Sequence, residues 1–196
     1  MNFRLLMLFA LAASTAMAAP ITYSWKFSSS AQLGDINLTQ KNFKVVLTAD
    51  TTGVFQPNPT EYPNYYENTG SATILIEGLG LFNFLDDMRV SVNPFGSGGL
   101  VEFGLIDSHF LVNITNSSLS SYQLQARNPI TSSASLIVGP SFGTSGGELT
   151  FTASTDVLTF EAITDQAVPE PATFLMISCT FASILLFRHR RNSSRD

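Results

Sequence analysis

The sequence has one cysteine and two histidines, and only 13% of its 196 residues are charged. Each scarcity excludes something. With Cys179 alone the chain can close no internal disulfide, so whatever folds here is held by its core. Zinc sites built from Cys and His need several such ligands, and this chain does not supply them. Stretches of Lys, Glu and Ala at helical spacing are missing from the body, which excludes a helix bundle. Basic residues are scarce in the body as well. Five of the ten Lys and Arg (Arg4, Arg188, Arg190, Arg191 and Arg195) lie at the two ends. The other five (Lys26, Lys41, Lys44, Arg89 and Arg127) face fourteen carboxylates up to Glu170, a net charge near −9. Such a surface repels phosphate backbones and excludes nucleic acid as a partner.

What the body does have is phenylalanine, serine and threonine in period-two alternation. In "ITYSWKF" the residues Ile21, Tyr23, Trp25 and Phe27 face one way, and Thr22, Ser24 and Lys26 the other. The same pattern recurs in "FKVVL" (Phe43, Val45, Leu47), "LVEFGLI" (Val101, Phe103, Leu105) and "YQLQA" (Tyr122, Leu124, Ala126). It returns in "LTFTA" (Leu149, Phe151, Ala153) and "LTFEA" (Leu158, Phe160, Ala162). These read as strands with one buried face. "ATILIEGLGLFNF" is more continuously apolar and reads as a central strand bent at Gly78 and Gly80. "SSLSSYQLQ" has room for one short turn, while "NPFGSGG" and "GPSFGTSGG" are turn clusters. Many short strands without βαβ alternation predict an all-β, antiparallel β-sandwich, with a jelly roll as one form of it.

Candidate chemistry in the body is thin. Gly143–Thr144–Ser145–Gly146–Gly147 matches a nucleophile elbow, but strand rather than helix follows it, so a hairpin loop is expected. His109, near Asp107, lacks a second group for acid–base work and reads as part of a turn. Asp86 and Asp87, with Asn83, lack the spacing of a calcium loop. No catalytic residue, metal or cofactor is therefore assigned, and the chain reads as a non-enzyme. The "FQPNPTEYPNYYENTG" segment, residues 55–70, is different: its prolines bar it from a central strand, and it concentrates Tyr62, Tyr65 and Tyr66. Those rings could stack on sugar faces, or fold back as a lid on one end of the domain.

The ends carry the most specific signals. Arg4, the apolar "LLMLFALAA" and the small-residue "AMA" form a signal peptide over residues 1–18. After the body (19–164) comes a linker (165–171) ending in Val168–Pro169–Glu170–Pro171. An uncharged stretch (172–187) follows, then a basic tail (188–196) with Arg188, Arg190 and Arg191 as a stop-transfer cluster. As a helix, that stretch rises about 24 Å, short of a bilayer core of about 30 Å, so the arginines must reach the headgroups. Both charged ends then sit on the cytoplasmic side, with the acidic body outside.

This order closely resembles the PEP-CTERM sorting signal of exopolysaccharide-producing Gram-negative bacteria: Pro169–Glu170–Pro171, a short transmembrane helix, an arginine-rich end. The resemblance implies export, removal of the leader by signal peptidase, and processing by exosortase, a membrane-embedded cysteine protease that reads this region as substrate. It implies an inner-membrane-anchored intermediate, then delivery to the cell surface or extracellular matrix. The body, through "ITYSWKF", "ATILIEGLG" and "TSGGELTFTASTDVLTFEAIT", also looks like recurring PEP-CTERM passengers, which implies an extracellular β domain without assigned activity. Two functions are expected from this: a structural protein of the surface or the exopolysaccharide matrix, or a polysaccharide-binding module or adhesin using the tyrosine-rich loop.

Overall fold

Alternation of apolar and polar residues commits a segment to a strand, because successive side chains then fall on opposite faces. The computed structural model describes residues 19–93, 99–106 and 109–164. Within them run β1 (Pro20–Leu33), β2 (Ile36–Asp50), β3 (Tyr66–Ile76), β4 (Gly80–Asn83), β5 (Met88–Asn93) and β6 (Gly99–Leu105). They continue with β7 (Phe110–Asn116), β8 (Arg127–Leu136), β9 (Ser141–Thr144), β10 (Gly147–Phe151) and β11 (Val157–Thr164). The only helical pieces among the described residues are two 3₁₀ turns, Thr51–Gly53 and Ser117–Leu119. Asp50 and Asn116 cap them by accepting the backbone N–H of Thr52 and Ser118.

Among the described residues all strand pairings are antiparallel, as expected, but the sheet closes on itself. The circuit runs β1–β2–β3–β5–β6–β7–β8–β11 and returns to β1 through Ile21↔Thr164 to Lys26↔Thr159. The molecule is an eight-stranded barrel rather than a sandwich. Local alternation cannot tell the two apart, since each buries one face of every strand; the decision lies in the pairing of the first strand with the last.

A second circuit branches from the first. β1 is held by β11 as far as Lys26, shifts register between Ser29 and Ala31, and takes β10 as its neighbour from Ala31 to Leu33. β3 makes the same exchange, pairing with β5 over Tyr66–Gly70 and with β4 over Thr73–Ile76. β4 then meets β9 through the Phe84↔Thr144 bridge, and the N–H of Leu85 and Ser145 donate to the carbonyls of Gly143 and Asn83. Closed circuits leave few strand edges for another chain to extend.

The interior is filled by side chains, as a barrel of this size requires. Trp25 touches Phe103 and Phe160, with ring centroids 5.0 and 5.3 Å away. Phe27, Phe43 and Phe151 form a second aromatic cluster where the two circuits join. At the barrel's end the Tyr23 hydroxyl donates to the Leu124 carbonyl at 2.8 Å and receives the Asn68 amide at 3.3 Å. Burial pushes the Tyr23 phenol up to about 12, against a smaller opposing effect of Asn68.

Two strand expectations change. "YQLQA" buries Tyr122 and Leu124 but is loop, with Leu124 at a φ of 60°, so alternation there reflects a plug over the barrel's end. "ATILIEGLGLFNF" is not one bent strand but the β3–β4 hairpin, turned at Glu77–Leu79 with Gly78 at φ 80° and Gly80 at φ 118°. No helix among the described residues is long and apolar enough to cross a membrane. The expected signal peptide, Val168–Pro171, the 172–187 helix and the tail with Arg188, Arg190 and Arg191 lie outside the described residues.

Candidate functional site

Where β11 and β1 part company, the outer face of the sheet turns concave and forms an open groove of about 1020 Å³. Its floor consists of two cross-strand rows. Thr159, Lys26, Lys44 and Leu75 lie opposite one another in turn on β11, β1, β2 and β3. Beside them Ser28 and Asn42 are opposite partners on β1 and β2, and the Glu77 N–H donates to the Asn42 carbonyl. Val157 and Leu79 line the walls, and with Leu75 of the floor they are 56%, 41% and 45% exposed. The outward parity of Lys26 was legible in "ITYSWKF", but its neighbours in space come from three other strands.

The groove's charges are arranged unusually. Lys26 and Lys44 stand directly opposite each other, and like charges in that position repel. Lys26 donates to Glu161 at 2.9 Å, and this bond, with one from Ser24, holds the Glu161 carboxyl below its ordinary range. Among the described residues Lys44 makes no ion pair, although its charge also helps to lower Glu161. Lys41 stands at the rim, its Nζ 3.9 Å from where a side chain on Gly78 would begin. All three lysines of the body therefore gather at this one groove. Two carboxylates share it: Glu77, held by the Asn42 backbone and side-chain amides at 3.3 and 2.9 Å, and Asp156.

The tyrosines lie elsewhere. Tyr62 is 37% exposed, while Tyr65 and Tyr66 are half-buried. The Tyr62 and Tyr65 rings meet edge-on at 64°, with centroids 6.5 Å apart, so they present no single flat platform. The Tyr65 hydroxyl donates to Glu67 Oε1 at 2.5 Å, and Arg89 donates to the same oxygen at 2.6 Å. Burial, then the bond to Glu67, pushes the Tyr65 phenol up to about 12. The Arg89 guanidinium also lies 5.2 Å over the Phe110 ring. Next to them Glu102 is raised by burial, with Ser91 and Arg89 opposing. The loop is thus pinned to the barrel wall by a shared carboxylate. No protein-family model matches this chain, and no curated protein or solved structure matches it.

The remaining sequence candidates fall at turns. Ser145 occupies the β9–β10 hairpin turn, its Oγ accepting the Asn83 N–H at 3.0 Å, in a strand–turn–strand setting. Asp86 and Asp87 are exposed after β4, and among the described residues no group of three His, Cys, Asp or Glu could hold a metal. His109 is exposed beside β7, and Asp107 lies outside the described residues.

Proposed function

We propose that this chain is an exported structural protein of the cell surface or extracellular matrix, sorted through Val168–Pro169–Glu170–Pro171 and processed by exosortase. The order of elements carries the reading: a leader, an acidic β domain, a proline-bracketed glutamate, a minimal apolar span and an arginine cluster. The barrel is compatible with it. Its last strand ends at Thr164, four residues before Val168, so a cut in the motif removes no strand. Proline lacks a backbone N–H and biases the residue before it away from helix, which suits a motif read in a protease cleft. Signal peptidase and exosortase are the processing partners, and the membrane is a partner only until the tail is removed.

The test replaces Pro169, Glu170 and Pro171 together with alanine in a tagged chain, expressed in an exopolysaccharide-producing host that carries exosortase. Export should persist, since the leader drives it. Trimming at the carboxy terminus should stop, and the product should stay in the membrane fraction at full length. If wild type and variant are trimmed alike, or neither is trimmed, the sorting reading fails.

A further inference from the structure

We infer that the groove on β11, β1, β2 and β3 is a binding site for a linear acidic polysaccharide of the polyuronate class. Three independent observations lead there. The first is the lysine pair. Lys26 and Lys44 face each other across β1 and β2, and a single carboxylate, Glu161, serves both: it is ion-paired with Lys26 at 2.9 Å and also feels the charge of Lys44. One carboxylate for two opposed ammonium groups leaves the pair with residual repulsion, which a bound anion would turn into a clamp.

The second is distribution. The body is acidic and repels polyanions over most of its surface, yet its three lysines converge on one concavity. An anionic chain would be directed to that place by exclusion from the rest. The third is the composition of the lining. Val157, Leu75 and Leu79 offer aliphatic surface for sugar C–H groups, while Ser28, Asn42 and Thr159 offer hydroxyls and an amide for sugar hydroxyls. Being open to solvent rather than enclosed, the groove is accessible to a polymer as well as to a small molecule. Glu77 and Asp156 on its lining disfavour a bare polyanion that brings charge alone, and favour one that also brings hydroxyls and C–H faces.

This inference rests on the matrix reading for its biological setting, but its test does not involve the sorting signal. Residues 19–164 form the closed barrel, so a chain ending before the motif serves, with folding checked by far-UV circular dichroism. Binding is measured by calorimetry against polyuronate oligomers, polyglutamate and neutral dextran. Polyuronate should bind and weaken as salt is raised, dextran should bind at least about tenfold less well, and polyglutamate likewise. The Lys26→Gln/Lys44→Gln double variant should lose at least about tenfold in polyuronate affinity, one charged contact being worth roughly that factor. Its melt should stay cooperative with a midpoint close to wild type, because the repulsion of Lys26 and Lys44 and the exposed Lys26–Glu161 ion pair are lost together. Lys44→Arg should retain binding. Equal binding of polyglutamate would show a mere cationic patch, and no binding, or an unaffected double variant, would also overturn the inference. Trimming in the host can succeed or fail regardless, so the two readings fall separately.

Discussion

Trp25 and Phe103 stand on strands four places apart in an eight-membered ring, yet their rings lie 5.0 Å apart. The barrel is therefore solid across its axis at this level, and Phe160 closes on Trp25 from a third strand at 5.3 Å. Trp25→Ala should cost about 3–5 kcal/mol, as large core truncations do. The Trp25 indole N–H is buried without an acceptor, so Trp25→Phe should cost much less than Trp25→Ala. Denaturant unfolding of the three proteins checks both statements, and equal losses for the two variants would contradict them.

Alkali should unfold the protein through its buried phenols. The Tyr23 and Tyr65 phenols are both raised to about 12 from an ordinary value of 10.0. Below pH 10 their protonated forms contribute fully to stability. Above that the unfolded chain releases its protons first, so stability falls as pH rises from 10 towards 12. For Tyr23 the loss is about 2–3 kcal/mol. Tyrosinate absorbance should show a late fraction that appears together with loss of the β-sheet signal. Tyr23→Phe should cost about 1–3 kcal/mol at neutral pH by stranding the Leu124 carbonyl, and should flatten part of the alkaline decline.

Gly70→Ala should be severe although Gly70 has an ordinary backbone conformation. An added Cβ would overlap the Thr48 carbonyl of β2, and backbone on both sides cannot yield. The expected loss is at least about 3 kcal/mol, at the upper end for overpacking. At Gly34 a Cβ meets nothing, so Gly34→Ala should cost only its φ of +54°, about 1 kcal/mol. Thermal melts of the pair would separate crowding from conformation.

The body, residues 19–167, should unfold in one cooperative transition that reductant leaves unchanged, because its only available cement is the core. A midpoint that moved on adding thiol would refute this.

Much of the fold was legible because alternation is a local property. The faces of "ITYSWKF", "FKVVL" and "LTFEA" were correct residue by residue, with Ile21, Val45 and Phe160 fully buried. β8 was missed because "RNPITSSASL" is mostly polar: only Leu136 in it is fully buried, so it carries no apolar rhythm. Barrel closure was not legible, being set by partners at opposite ends of the body. The groove escaped for the same reason. Lys26 and Lys44 are eighteen positions apart, and only the register of β1 on β2 makes them neighbours. The tyrosine loop attracted notice because its residues are close in sequence; the structure ties it down through Glu67 and Arg89, which sequence proximity did not reveal.

The pairing of Ile21 with Thr164 also sets how the barrel responds to force. Ile21 and Thr164 are opposite partners on antiparallel strands, so tension pulling one from the other would open the ladder one rung at a time, like a zipper. The same strands pulled lengthwise against each other would load all six rungs from Ile21 to Lys26 together. The barrel would then be tough towards shear along β1 and β11, and compliant towards a pull that separates Ile21 from Thr164.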